Sequence, residues 1–270
     1  MREKVRSFKE AFGKRIRRNR RAFITYSILR GFIILTLIRC ILQRNYESAT
    51  LCILSLILFI IPVFMEEKFH IEIPPMFQIS IYMFIYAAEI LGEINNFYTK
   101  IPGWDTMLHT FNGFLCAAVG LSLVDLLNKS SNKINLSPLY LAIVAFCFSM
   151  TIGVLWEFFE FANDALFCVD MQKDFIIPYF GSVTLDPTNS QIPIKVTDIT
   201  RTIIETGSGQ QYIINGGYLD IGIIDTMKDL FVNFIGAVTF SVIGYLHAKK
   251  KPSRSITDDF RLTKEEEKTE

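Results

Sequence analysis

Residues 138–160 read PLYLAIVAFCFSMTIGVLWEFFE, and no charged side chain occurs before Glu157. A bilayer core about 30 Å thick takes roughly 20 mostly apolar residues of helix to cross, so the stretch reads as a membrane span. Five more runs of this kind lie around it: Ala22 to Leu42, Ala49 to Met65, Pro75 to Glu93, Trp104 to Leu127 and Asp225 to His247. Half of all residues are hydrophobic, but their clumping into long runs is the stronger signal.

The formal net charge of +1 hides an asymmetry, because the first 21 residues carry ten Lys or Arg against only Glu3 and Glu10. Basic segments beside spans stay in the cytoplasm, and six crossings return Lys249, Lys250 and Lys251 to the same side. Lys68, Lys129 and Lys133 fall in the loops that this topology also places inside. A cleaved leader is disfavoured: the basic region is long, Arg30 and Arg39 interrupt the first apolar run, and no small-x-small site follows. Cys40, Cys52, Cys116 and Cys147 fall within spans and Cys168 outside them, with neither a disulfide framework nor zinc spacing.

The expected fold class is therefore an all-α integral membrane protein, a six-helix transmembrane bundle with a small β-containing extracytoplasmic segment. Its parts are a basic cytoplasmic tail (1–21), helices 1–5 (22–160), an extracytoplasmic segment (161–224), helix 6 (225–247) and a charged cytoplasmic tail (248–270). The outer segment is too polar to cross and too long for a turn. Thr200 to Thr206 alternates β-branched residues, Gly207-Ser208-Gly209 signals a turn, and Gln211 to Ile214 leads through Asn215-Gly216-Gly217 to Tyr218–Ile221, which predicts a β-hairpin or meander. A cap over helix ends is the simplest role for so small an element. The C-terminal tail, with Glu265, Glu266 and Glu267, reads as solvated and disordered.

Ionisable groups inside spans are costly and face a bundle interior or a wet cavity. Glu89 and Glu93 end the third span, Asp105 and His109 begin the fourth, Glu157 and Glu160 end the fifth, and Asp225 and Asp229 begin the sixth, with Asn233 one turn further in. Each pair has i, i+3 or i, i+4 spacing and so shares a helix face, and the topology puts all four at the outer ends. The stripes continue inward as Gly113, Ala117 and Gly120, as Gly153 and Ser149, and as Gly236 and Gly244, which permits close helix packing. Asp105 and Asp225 follow loops and start helices, so capping alone accounts for them as well as a site does. Glu93, Glu157 and Glu160 lie at helix C-termini, where the dipole disfavours negative charge; the alternative for them is headgroup-level water.

Carboxylates gathered at one place need a balancing cation: Arg39, Arg44, Lys228 or a bound metal. The residues expected to hold a divalent metal are Glu93, Asp105, His109, Glu157, Glu160, Asp225 and Asp229, with Glu89, Asn233 and Arg39 beside them. Many oxygens and one imidazole favour Mg, Mn or Ca over Zn or Fe. A metal there would polarise a phosphoryl or carbonyl oxygen and activate water, which fits an enzyme acting on a lipid-linked or headgroup substrate. The alternatives are a cation-binding permease, which lacks polar residues continuing past Asn112 and Asn233, and a structural polar network. Expected partners are membrane lipid, a second copy or an extracytoplasmic protein, and not nucleic acid. Arg30, Asp125, His247 and His70 read as snorkelling, water-facing or solvated groups.

Trp104-Asp105-x-x-x-His109 with Gly113, Trp156-Glu157-x-x-Glu160, and Asp225-Thr226-x-x-Asp229 with Asn233, Gly236 and Ala237 form a set, together with Leu91-Gly92-Glu93. In order and spacing the set resembles the uncharacterised bacterial membrane-protein family typified by the inner-membrane protein YjdF. The resemblance covers the last five spans. It implies a bacterial cytoplasmic-membrane location and a shared polar site, in a family with no established activity and with a more compact link before the last span.

Overall fold

The computed structural model describes residues 19–130, 136–250 and 256–264. Most of the basic N-terminal tail, Lys133, Lys251 and the Glu265–Glu267 run lie outside the described residues.

Among the described residues, six helical segments are long and apolar enough to cross a membrane. The first is α1 (Arg20–Leu42). The second is broken into α2 (Tyr46–Leu58) and α3 (Ile61–Phe69). Pro62 causes the break, because it has no N–H for the carbonyl of Leu58 and its ring crowds that carbonyl. After the short strand β1 (Ile71–Glu72), the third span starts as α4 (Pro75–Ile85) with proline at the first position, where a missing N–H costs nothing. It finishes as a π-helix (Tyr86–Ile94). A short α5 (Phe97–Lys100) leads to the fourth span, α6 (Trp104–Ser130), and the fifth is α7 (Pro138–Phe167). The sixth is α8 (Ile223–Lys250), which begins where Asp220 accepts the Ile224 N–H at 2.8 Å, a capping bond.

Two compact units divide the chain, with the divisions falling within α7 and α8. The first unit holds the residues up to Gly153 and those from Val232 onward. Its packing explains why the inward stripes are small. A Cβ on Gly113 would run into the backbone carbonyl of Asn233, and one on Gly236 into that of Thr110, so α6 and α8 touch backbone to backbone. Gly120 meets Ala145 and Phe148 of α7, and Ser149 donates to the Gly113 carbonyl at 2.7 Å. One apolar cluster here gathers Phe77, Leu115, Leu121, Phe240, Phe260 and Leu262, and a second gathers Leu29, Ile33, Cys52, Phe59, Tyr82 and Ile90. Outward-facing apolar residues such as Ile28, Phe32 and Leu35 on α1 remain exposed, as a lipid-facing surface requires.

The C-terminal segment departs from the solvated tail expected of it. Helix α9 (Ile256–Phe260) and strand β8 (Thr263–Lys264) dock on the bundle, and β8 pairs antiparallel with β1 in the register Ile71↔Lys264. The Phe260 ring packs among Phe77, Phe114 and Phe240 at centroid distances of 5.6, 5.3 and 6.3 Å. Arg261 pairs with Asp125 at 2.6 Å, Asp258 meets His247 at 3.6 Å, and the Leu262 N–H donates to Ser122 Oγ at 3.0 Å. Asp125 and His247 are thus tied to this segment and are not simply water-facing. Within 256–264, Asp258 and Arg261 are paired, while Phe260 and Leu262 bury apolar surface.

The second unit spans Val154–Phe231. It contains β2 (Ile176–Ile177), β3 (Phe180–Ser182), β4 (Ile194–Val196), β5 (Arg201–Glu205), β6 (Gln211–Asn215) and β7 (Tyr218–Leu219). They form three two-stranded antiparallel pairs, β2–β7, β3–β4 and the hairpin β5–β6. In the hairpin Arg201 faces Asn215 and Glu205 faces Gln211, and the turn closes through Gly209 at φ +80°, a value that a side chain resists. Asp186 anchors the loop before β4, its carboxylate accepting from Thr188 Oγ1 at 2.6 Å, Thr188 N at 3.0 Å, and Ser190 N and Oγ at 2.9 Å. These bonds, those from Thr188 foremost, hold Asp186 far below the usual carboxylate range.

Candidate functional site

Among the residues singled out in the sequence, the first unit contains Arg39, Glu89, Glu93, Asp105, His109 and Asn233. Asp105 and His109 sit one turn apart at the start of α6, with His109 Nε2 3.5 Å from Asp105 Oδ1. The His109 side chain is 13% exposed and that of Asp105 is 28% exposed, so the pair is partly shielded but reachable. Trp104 fixes the start of the helix by donating its indole N–H to the Ala87 carbonyl at 3.3 Å and by meeting the Phe97 ring edge-on at 5.0 Å.

One turn further along α6, Asn112 Nδ2 donates to Asn233 Oδ1 at 3.3 Å. Asn233 is 1% exposed and in turn donates to Met150 Sδ at 3.6 Å, while Cys116 donates to Asn112 Oδ1 at 3.5 Å. Buried amides in an apolar bundle need such partners, and this set ties α6, α7 and α8 together at one level.

Glu89 and Glu93 both lie in the π-helix that ends the third span, and their four-residue spacing keeps them on one face. Glu89 is half-buried and Glu93 exposed. Arg39 is exposed in the last turn of α1, where its charge suits the negative helix end.

The second unit contains Glu157, Glu160, Asp225 and Asp229, and all four are buried, with Asp229 only 2% exposed. Glu160 accepts the Trp156 indole N–H at 2.9 Å, a bond within one turn of α7. Asp225 lies in the first turn of α8, and its carboxylate accepts the Lys173 backbone N–H at 2.8 Å and meets the Lys228 ammonium at 4.0 Å. It therefore ties down the loop after α7, a role that neither capping nor metal binding anticipates. Asp229 stands one turn before Asn233 on the same face of α8.

Sequence reading missed the partners of three polar groups that prove to be held in place. Glu66 is 2% exposed and accepts from the Ile73 N–H and the Gln78 amide, each at 2.9 Å. Asp125 and His247 face the C-terminal segment. The available signal was the spacing of Ile256, Phe260 and Leu262 among the charges of the tail.

The model of a family described as "Predicted membrane protein (DUF2238)" matches residues 25–184, more than half of the chain. The chain belongs to this family. The match takes in the first five spans and the Trp104–Gly113 and Trp156–Glu160 motifs, and it stops short of the Asp225–Asn233 stretch of the sixth. An uncharacterized protein of Thermotoga maritima is 30% identical over 105 residues, which is 39% of this chain and 53% of that protein. The chain thus spans about half the length of the curated relative it matches. No solved structure matches it. Family membership and the six apolar helices make this a multi-pass membrane protein.

Proposed function

We propose that the protein is a divalent-metal-dependent membrane enzyme, acting on a lipid-linked or headgroup substrate, with Asp105 and His109 as metal ligands. One observation carries the reading: the two side chains stand 3.5 Å apart at the start of α6, partly shielded yet reachable, with His109 one turn outward from Asn112 and Gly113, where α6 is locked to Asn233.

Carboxylate and imidazole ligands suit Mg, Mn or Ca, with Zn or Fe second. Bound there, the metal would supply a Lewis acid for a phosphoryl or carbonyl oxygen and would acidify a water. Positive-inside bias puts both termini in the cytoplasm and the start of α6 outside.

The buried amide network favours a second reading, in which the polar groups only hold the helices together. A melting titration with Mn²⁺ of the purified chain, prepared without chelators, separates the two. A metal site stabilises by about 2.7 kcal/mol at a hundredfold excess over Kd, and Asp105→Ala or His109→Ala abolishes that gain. A Tm unmoved by Mn²⁺, or moved equally in the variants, leaves the structural reading standing.

A further inference from the structure

At the end of the bundle away from Asp105, the first three spans enclose a cavity of about 200 Å³. Its walls include Asn19, Tyr26 and Arg30 of α1, Glu66 of α3, and Gln78 and Tyr82 of α4. The functional reading above uses none of them.

The polar groups follow an order. Asn19, Glu66 and Gln78 lie toward the helix ends, and Arg30 lies 11 residues past Asn19 on α1, roughly 16 Å further along the helix axis. Glu66 is buried, and its Oε1 already takes two N–H donors, an arrangement suited to a carboxylate. Between the two levels stands an aromatic wall: Tyr26 and Tyr82 have ring centroids 5.2 Å apart, and Phe59 stacks on Tyr82 at 5.1 Å. Arg30 reaches back over the Tyr26 ring, 5.6 Å from its centroid, and donates to the Tyr26 hydroxyl. Arg30 is exposed, so the cavity is open on the lipid side at this level.

Carboxylate and aromatic faces together recognise an ammonium group, and a guanidinium recognises phosphate. We propose that the cavity binds the headgroup of a zwitterionic bilayer phospholipid, with its ammonium between Glu66 and the tyrosine rings and its phosphate at Arg30. The acyl chains then continue along Ile34, one turn past Arg30 on the same face of α1, and Ile60, which lines the cavity; both are exposed. This order, ammonium toward the surface, phosphate below it and chains deepest, is the one in which a phospholipid sits in a leaflet.

Native mass spectrometry of the delipidated full chain tests the assignment, with phosphatidylethanolamine, phosphatidylglycerol and diacylglycerol of equal chain length as probes. One phosphatidylethanolamine per chain is retained at least tenfold better than the lipid lacking the amine or the one lacking the phosphate, and Glu66→Gln and Arg30→Gln each erase that preference. Equal retention of the three lipids overturns the proposal, as does an unchanged preference in the folded variants. If a variant does not fold, the ranking by the wild-type chain decides.

Discussion

Single residues carry two kinds of constraint here. Gly113 and Gly236 exist for contact, since any side chain there strikes backbone of the facing helix, which cannot move aside as a flexible side chain could. Gly113→Ala and Gly236→Ala should each destabilise by about 1–3 kcal/mol, visible as a lowered Tm in detergent. Gly31→Ala serves as the control, because nothing lies within 4 Å of a Cβ at Gly31. Equal melting of the three variants would refute the close packing of α6 on α8. Asp186 is constrained by hydrogen bonds instead. Its carboxyl is held below the ordinary value of about 3.9, first by the Thr188 hydroxyl and then by the Thr188 amide, so its contribution is complete above that value and disappears as pH falls through the lowered one. Asp186→Ala at neutral pH should therefore expose the Thr188 and Ser190 amides to hydrogen exchange, and acidification of the wild-type chain to pH 4 should not. The Gly stripes were legible from spacing alone, whereas the Asp186 loop was not, because its donors are a local Thr-Asn-Ser run that resembles any polar turn.

At the scale of elements, three features depart from regular helix or from disorder. Pro62 splits the second span, the third span ends in π geometry, and the segment 256–264 folds onto the bundle. Composition argued against the last of these, because a segment rich in Asp and Lys buries little surface by itself. It folds because Phe260 enters an existing aromatic cluster and because β1 offers an edge to pair with. Phe260→Ala should cost about 3–5 kcal/mol and should release the segment, so that trypsin cuts after Arg261 much faster than in the wild-type chain. Unchanged cleavage would show that the segment is not held by that ring. The π-helix was illegible for a different reason: the periodicity that marks a helix in sequence does not distinguish five-residue from four-residue hydrogen bonding over two turns.

For the whole molecule, the decisive prediction concerns direction. If both tails are cytoplasmic, a cysteine at Ser190 should react with an impermeant thiol reagent from outside the cell, and one at Ser131 should not; the reverse pattern would place the acidic groups at the inner surface. Six spans could be read from the chain because crossing a bilayer imposes a length of apolar helix that no local accident imitates, and short-range alternation with turn residues marks a hairpin in the same direct way. Helical spacing likewise places Asp105 with His109 and Asp229 with Asn233 before any coordinates are seen. Tertiary structure decided the rest: that Asn112 and Asn233 meet across two helices, that Asp225 serves the loop at Lys173, that Glu66 is buried beside Gln78, and that the charged tail is docked. Those outcomes depend on which faces of distant segments touch, and neither hydropathy nor period contains that information.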